Sequence, residues 1–460
     1  MGAIITLSLL GILLLYLGLY KAKNALLPVT LLGLLVALGF EVSEWGKEAA
    51  PVYHGMVLFD HFALSFSMLC ILLTALTLFL SKAYFSAISN NVAEYYCLIV
   101  FSLTGALLVS SYHNFAMLFI GIEIMSVALY ILAGIRKKDL YSNEASLKYF
   151  IMGAFSTGFL LFGITLLYGA TGTFDLAGVR QYVIDTQQIS PLFYGGILLL
   201  LIGLCFKVGA APFHFWTADV YDGSPILVTI FMSTVVKVAS FAGFLRLFDY
   251  VFGALNEFWT PVLLVVIVIT LFVGNISAMM QTSFKRMLAY SSIAHAGYML
   301  FAILSLGPNA ASSVFVYALA YSLSSIVGFG ALILVKKSQG SDQFLAFNGL
   351  GKSNPLLAAI VALAMFSLAG IPLTAGFIGK FMMFTGVMGD YHVVLLALAA
   401  INAIIGVFYY LRVIVHMYFK TAEEGAETVV MPLNFKAVFI IAAILTLAVG
   451  IYPDCLIGLF

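Results

Sequence analysis

The stretch LIGLCFKVGAAPFHFW, residues 201–216, combines an apolar run with a lysine and a helix break. Lys207 lies within the run, and Gly209 and Pro212 follow it closely. Proline has no N–H to donate and its ring crowds the preceding turn, so an undisturbed helix cannot continue through Pro212. Ionisable residues within apolar spans are rare and usually face a protein interior or a water-filled cavity along an ion path. The stretch therefore predicts a hydrated ion site inside a membrane.

The composition excludes an ordinary soluble protein. The 460 residues are 63% hydrophobic and only 9% charged, and the mean hydropathy is +1.11. Charged residues make up about a quarter of a soluble domain. The composition therefore indicates an all-α polytopic protein embedded in a lipid bilayer. The formal net charge is only +1 and no long basic run is present, which excludes a nucleic-acid partner.

The cysteines do not form a ligand pattern. Cys70, Cys97, Cys205 and Cys455 are scattered singly, without the paired spacings that bind zinc or an iron–sulfur cluster. Glycine-rich nucleotide-binding loops are also missing from the sequence. We therefore expect no metal and no redox cofactor on this chain, and the driving energy has to come from an ion gradient or from a partner.

Apolar runs near 20 residues long predict about fourteen transmembrane helices. The run 2–20 lacks the basic start and cleavage site of a signal peptide, so it is predicted to be a retained first helix. All helices belong to one predicted transmembrane domain, 1–460. The predicted helices are 2–20, 26–41, 58–81, 93–111, 113–135, 145–170, 191–216, 224–249, 257–280, 286–306, 310–336, 355–388, 391–418 and 434–459.

The basic residues predict the orientation, because lysine and arginine accumulate in cytoplasmic loops. Only Lys47, Arg180 and Arg246 fall on the side that would face outwards, so both termini are predicted on the outer side. The residues on the opposite, basic side are Lys21, Lys23, Lys82, Arg136, Lys137, Lys138, Lys285, Arg286, Lys336, Lys337, Lys352, Arg412, Lys420 and Lys436.

A second broken helix matches the first. The segment MFSLAGIPLTAGFIGKF, residues 365–381 of predicted helix twelve, contains Gly370, Pro372 and Lys380. Helices seven and twelve are five apart, so they cross in opposite directions. This predicts two inverted five-helix repeats, helices 4–8 (93–249) and helices 9–13 (257–418). Interrupted helices at matching places in two such halves indicate an ion-translocating site.

The charged residues inside the spans are the candidate relay. Glu123 lies near the middle of helix five, and we pair it with Lys207 because a proton or a nearby charge can toggle such a pair. A static interhelical salt bridge is the structural alternative. Lys237 lies mid-span in helix eight without an acidic residue within two turns. A desolvated lysine can load and release protons, whereas the alternative is a side chain that snorkels to an interface.

Polar residues other than Glu123, Lys207, Lys237 and Lys380 give weaker evidence of function. His295 and His214 have the titration range of a proton relay, although single histidines in a span also have purely structural roles. Tyr317 and Tyr321 give helix eleven a polar stripe that either orders water or only packs.

The charged residues near the basic side are predicted to have structural roles. Glu144 and Lys148 form an i,i+4 pair near the interface. The other residues assigned in this way are Asp219 and Asp222, in a predicted helix-connecting loop, and Lys285 and Arg286, as cytoplasmic anchors.

Four segments together resemble the antiporter-like membrane subunits of proton-pumping respiratory complex I. They cover most of the chain and are specific: GIEIMSVALYIL (121–132), FKVGAAPFHFWTADVYDGSP (206–225), FKRMLAYSSIAHAGY (284–298) and LAGIPLTAGFIGKF (368–381). Within that family the chain looks most like the member that has a lysine in broken helix twelve, a length near 460 residues and no long C-terminal lateral helix.

The resemblance implies proton movement without redox chemistry. Glu123 and Lys207 match the switchable pair of the family, Lys237 matches its central relay, and Lys380 matches the residue that passes the proton outwards. NADH, FMN, iron–sulfur clusters and quinone are then expected in partner subunits, namely other membrane-arm subunits (M, L, K, A, J and H type) and, through them, the peripheral arm. The implied location is the bacterial inner membrane.

Three other functions stay open at this point. A subunit of a multisubunit cation/proton antiporter or of a membrane-bound energy-converting hydrogenase would share the fold and much of the lysine pattern. A non-transporting scaffold is the third alternative, but it has no need of three lysines in apolar spans.

Overall fold

The structure is a computed structural model that describes residues 1–82, 84–85, 92–388, 393–422 and 427–460. Thirteen helices in this part of the chain are long and apolar enough to cross a membrane. They are Gly2–Leu19, Lys23–Glu44, His61–Phe79, Val92–Ser111, Phe115–Ala133, Leu140–Thr171, Pro191–Val208, Ile226–Tyr250, Gly253–Met279, Phe284–Ser305, Ala310–Gln339, Val393–Phe419 and Leu433–Ile451.

Two shorter apolar helices, Pro355–Ala369 and Ala375–Val387, take the place of predicted helix twelve. We count this pair as the twelfth span and number the spans in chain order, which makes Val393–Phe419 the thirteenth. The predicted all-helical membrane fold is confirmed. The predicted start of the thirteenth span, residue 391, lies outside the described residues.

Few other elements occur in the described residues. Strands Pro51–Val52 and Val57–Leu58 form an antiparallel hairpin between the second and third spans, with Val52 opposite Val57. The short helices are Leu176–Asp185, Phe215–Gly223, Leu350–Ser353 and Asp454–Ile457, together with the 3-10 helix Phe344–Phe347.

The seventh span is broken, as predicted, but the break begins before the proline. The helix ends at Val208 because Gly209 adopts the left-handed conformation, with φ of 76°. The chain turns through 210–214 and resumes as the helix Phe215–Gly223. The prediction that residues 217–223 belong to a loop is therefore wrong: Asp219 and Asp222 lie in the second half of the seventh span.

The first halves of the two broken spans share their terminal signals. Ser190 and Asn354 cap them with side-chain oxygens, which accept from the N–H groups of Leu192 and Leu357. A proline follows each cap at the first helical position, where its missing N–H costs nothing. Both halves end at a left-handed glycine, and φ of Gly370 is 84°. The two breaks therefore arise from the same local chemistry.

The polar interior lies between the most buried spans. The eighth, tenth and eleventh spans are almost completely buried, whereas only a third of the residues are buried in the first, second and thirteenth. Because an apolar bilayer can face the outer spans, charged groups are sheltered only at the centre. This arrangement puts Lys237, His295 and Tyr317 on neighbouring interior helices.

Candidate functional site

Lys207 is buried at the end of the first half of the seventh span, with 6% of its surface exposed. Its Nζ donates to Oγ of Ser126 at 2.8 Å, and that hydroxyl donates in turn to the carbonyl of Ile122 at 2.5 Å. No carboxylate in the described residues lies within ion-pair distance of this lysine. Glu123, three residues before Ser126 on the same helix, has a buried Oε1 without a hydrogen-bond partner. The Glu123–Lys207 pairing stays a prediction.

Side chains around the seventh-span break replace the lost backbone hydrogen bonds. The indole Nε1 of Trp216, in the second half, donates to the carbonyl of Phe206 in the first half at 3.0 Å. The N–H of Ala211 donates to Oγ1 of Thr270 on the ninth span at 2.9 Å. Unpaired backbone groups at membrane depth are very unfavourable, so these two contacts make the break tolerable.

Lys237 lies at the middle of the eighth span, directly after a π-helical turn over Met232–Val236. It is 4% exposed, and its Nζ donates to both the carbonyl and the hydroxyl oxygen of Ser292 at 2.5 Å each. The ring of Tyr321 lies 5.1 Å from the ammonium, in cation–π range. π-turns are frequent at functional sites. The depth of this lysine excludes snorkelling to an interface.

His295 lies between two tyrosine hydroxyls. Its Nδ1 is 2.7 Å from Oη of Tyr317 on the eleventh span, and its Nε2 is 2.9 Å from Oη of Tyr410 on the thirteenth. Ser291 contacts the same Tyr410 hydroxyl. A neutral imidazole donates through one nitrogen and accepts through the other, so both contacts are satisfied whichever tautomer is present.

Lys380 joins the two halves of the twelfth span. It lies in the second half, and its Nζ donates to the carbonyls of Leu368 and Ala369, the last residues of the first half, at 2.9 Å each. The ring of Tyr298 lies 5.1 Å from the ammonium. The last carbonyls of a helix have no partner within it and form its negative end, so a cation binds well there.

One face of the tenth span connects these contacts. Ser292, His295 and Tyr298 are three residues apart, which places them on one side of the helix. Ser292 binds Lys237, and Tyr298 lies over Lys380. The structure therefore brings three of the five predicted residues to one helix face. His214 is not brought to it: the Nδ1 of His214 is buried and has no partner.

The sequence missed Ser126, Ser292 and Tyr410 because serine and tyrosine are common in membrane helices. A positional signal was available for the two serines. Ser126 is one turn from Glu123, and Ser292 is one turn from His295.

On the basic side, the expected Glu144–Lys148 pair is present at 2.8 Å, and Lys148 also binds Asp219 at 2.7 Å. Arg286 pairs with Asp219 at 3.4 Å and with Asp222 at 3.2 Å. Asp219 therefore accepts hydrogen bonds from both Lys148 and Arg286.

Lys285, which is predicted to be a cytoplasmic anchor, is buried at the start of the tenth span. Only 3% of this residue is exposed, and its Nζ donates to the carbonyls of Asp222 and Ser224 beside a cavity that it lines. Its neighbours at the helix end hide it from solvent, which hydropathy along the chain cannot reveal.

Comparison with known proteins identifies the family to which this chain belongs. The family model described as "NADH:quinone oxidoreductase/Mrp antiporter, TM" matches residues 111–406, which include all five predicted relay residues. The chain belongs to this family. NADH-quinone oxidoreductase subunit N of Cytophaga hutchinsonii is 40% identical over 458 residues, with 99% of each chain covered.

Solved structures agree with this assignment. A chain in the structure titled "Respiratory complex I from Thermus thermophilus with bound Aureothin" superposes with a TM-score of 0.84 at 33% identity, covering 99% of this chain and 98% of that one. A chain of the Mrp complex from Dietzia sp. has a TM-score of 0.87 at 19% identity, covering 100% and 95%, and shows the shared fold only. The resemblance to antiporter-like subunits of complex I is confirmed, and so is the predicted likeness to one member, which is subunit N.

Proposed function

We propose that this chain moves protons as a membrane-arm subunit of a proton-pumping NADH:quinone oxidoreductase, driven by redox chemistry in other subunits. The full-length 40% identity to a subunit N favours this function over a subunit of a cation/proton antiporter, because the Mrp complex chain is only 19% identical. The observation that carries the proposal is the tenth-span face, where Ser292 and Tyr298 contact Lys237 and Lys380 on either side of His295.

The proposed relay runs through Glu123, Lys207, Lys237, His295 and Lys380. Each lysine is held by hydroxyl or carbonyl oxygens, and no carboxylate among the described residues forms a fixed ion pair that would oppose loss of its proton. Imidazole can accept a proton on one nitrogen and release one from the other. Because both nitrogens of His295 face tyrosine hydroxyls, it is suited to carry a proton between the eleventh and thirteenth spans.

The partners are proposed to be the M-, L-, K-, A-, J- and H-type membrane-arm subunits and, through them, the peripheral arm. Exposed side chains at both helix breaks support the presence of neighbouring subunits. Phe215 is 67% exposed beside the seventh-span break, and Leu373 is 69% exposed within the twelfth-span break. Irregular backbone within the bilayer is tolerated only where protein or a water-filled cavity covers it. NADH, FMN, iron–sulfur clusters and quinone would then belong to those partners.

The inverted repeats 93–249 and 257–418 remain part of the proposal. The matching cap, proline and glycine signals of the two broken first halves support them. The proposed location is the bacterial inner membrane with both termini on the outer side, for which the uneven distribution of basic residues is the argument.

The test is to replace Lys237 and Lys207 separately by alanine in the assembled complex and to measure proton pumping and NADH oxidation together. Loss of the interior ammonium should reduce pumping while the complex still assembles. Lys420→Ala removes an exposed lysine at the end of the thirteenth span and serves as the control. Wild-type pumping in both variants would refute the relay assignment.

A further inference from the structure

Four buried side chains form a continuous hydrogen-bond chain in the protein interior. Oγ of Ser291, on the tenth span, contacts Oη of Tyr410 on the thirteenth. The same tyrosine hydroxyl lies 2.9 Å from Nε2 of His295, and Nδ1 of His295 lies 2.7 Å from Oη of Tyr317 on the eleventh span. At most 3% of any of these residues is exposed, so bulk water does not compete for their contacts.

Tyr410 decides the direction in which this chain donates. A phenol has one hydrogen, so Tyr410 donates either to His295 or to Ser291 but not to both. If Tyr410 donates to Nε2 of His295, Ser291 donates to Tyr410 and Nδ1 donates to Tyr317. If Tyr410 donates to Ser291, every one of these directions is reversed. Leaving a buried polar group unpaired is unfavourable, so only these two orders keep all three hydrogen bonds.

We propose that Tyr410 is a relay residue that loads His295, and that the chain Ser291–Tyr410–His295–Tyr317 is a two-state proton wire. In the first order, a hydronium ion gives a proton to Oγ of Ser291, whose own proton moves to Oη of Tyr410. The Tyr410 proton moves to Nε2 of His295, the Nδ1 proton moves to Oη of Tyr317, and the Tyr317 proton leaves to a water molecule.

The protons and electrons balance in this sequence. Each bond to hydrogen that breaks is replaced by one that forms, and no electron is transferred. Passage of one proton leaves the four residues in the reversed order, so the hydroxyls and the imidazole have to reset before the next proton follows. The inference rests on the proposed function and adds Ser291 and Tyr410 to its relay.

The adjacent tyrosine, Tyr409, belongs to a different set of contacts. Its hydroxyl donates to Oδ1 of Asn275 on the ninth span at 3.0 Å, so its one hydrogen is already used. Nδ2 of Asn275 donates in turn to the carbonyl of Leu271 at 2.9 Å and to Oδ1 of Asn402 at 3.3 Å. A side-chain amide has no titrating group. This branch therefore joins the ninth and thirteenth spans without passing a proton.

The two neighbouring tyrosines allow a matched test in the assembled complex. Tyr410→Phe removes only the hydroxyl that bridges Ser291 and His295, whereas Tyr409→Phe removes an equally buried hydroxyl outside the wire. We expect both variants to assemble and to oxidise NADH, and only Tyr410→Phe to lose protons pumped per NADH oxidised. Wild-type pumping in Tyr410→Phe, or an equal loss in Tyr409→Phe, would overturn the wire.

Ser291→Ala interrupts the wire at its end and leaves Tyr410 in place. One interruption is enough to stop transfer, so Ser291→Ala, Tyr410→Phe and the double variant should show the same loss of pumping. Independent packing defects add, so a larger loss in the double variant would contradict a shared wire. If Tyr410→Phe does not assemble, Ser291→Ala decides, and wild-type pumping in that variant refutes the inference.

Lys237→Ala separates this inference from the proposed function. If Lys237→Ala abolishes pumping while Tyr410→Phe and Ser291→Ala leave it unchanged, the wire fails and the proposed function stands. If pumping is unchanged in Lys237→Ala as well, the proposed function fails.

Discussion

Replacing Lys380 by methionine removes the link between the two halves of the twelfth span. Two buried carbonyls, of Leu368 and Ala369, then lose a donor at 2.9 Å. Leaving a buried acceptor unsatisfied costs about 1–3 kcal/mol, so the pair gives roughly 2–6 kcal/mol. Burying a methionine side chain costs less free energy than burying an ammonium, which favours the lower end of this energy range. Because about 1.4 kcal/mol is a factor of ten, local opening should increase roughly 30-fold.

Hydrogen exchange read by mass spectrometry on the assembled complex measures this opening. The reporters are the N–H groups of Gly370 and Ile371, which both donate to the carbonyl of Phe366 at 3.0 Å. Lys352→Met, which removes an exposed lysine just before the same span, is the control. Unchanged exchange at residues 370–371 in an assembled Lys380→Met complex would show that the lysine does not hold the break together.

Two further predictions follow from contacts elsewhere. Gly376→Ala should prevent assembly of the complex, measured on native gels, because an added Cβ would lie 1.8 Å from the carbonyl oxygen of Ser367. Gly158→Ala is the control and should assemble normally, because a Cβ at residue 158 meets nothing within 4 Å. Burial lowers the pKa of His113, and the cation of Arg246 lowers it further, so Arg246→Gln should raise that pKa and move the pH midpoint of His113 modification by diethyl pyrocarbonate upwards. A midpoint that stays or falls would contradict the assigned cause.

The spans were predictable because hydrophobicity of membrane length is a strong local signal. Gly209 and Gly370 also marked both breaks. The sequence placed the end of the seventh span at residue 216, since the two aspartates of the helix Phe215–Gly223 are typical of a loop. The ion pairs of Arg286 with those aspartates make this helix possible, and such long-range partners are not visible in the local sequence.

The site was predictable as far as rare residues mark it. Lysine in an apolar span is unusual, so Lys207, Lys237 and Lys380 were identified from the sequence alone. Their partners were not, because Ser292 and the carbonyl of Ala369 have no distinctive pattern. For Lys285 the local sequence was misleading. Its position at a helix end predicts an exposed side chain, but the packing of other spans around it buries that side chain.

The exposed residues at the helix breaks also affect how much of this protein accumulates in the cell. A newly inserted chain whose irregular segment around Ile371 and Leu373 is uncovered would present polar backbone to lipid, a state that is unfavourable until neighbours arrive. Chains in that state are the ones that cellular proteases remove. The abundance of this polypeptide would then be set by the supply of the chains beside it, and synthesis in excess of them would be wasted.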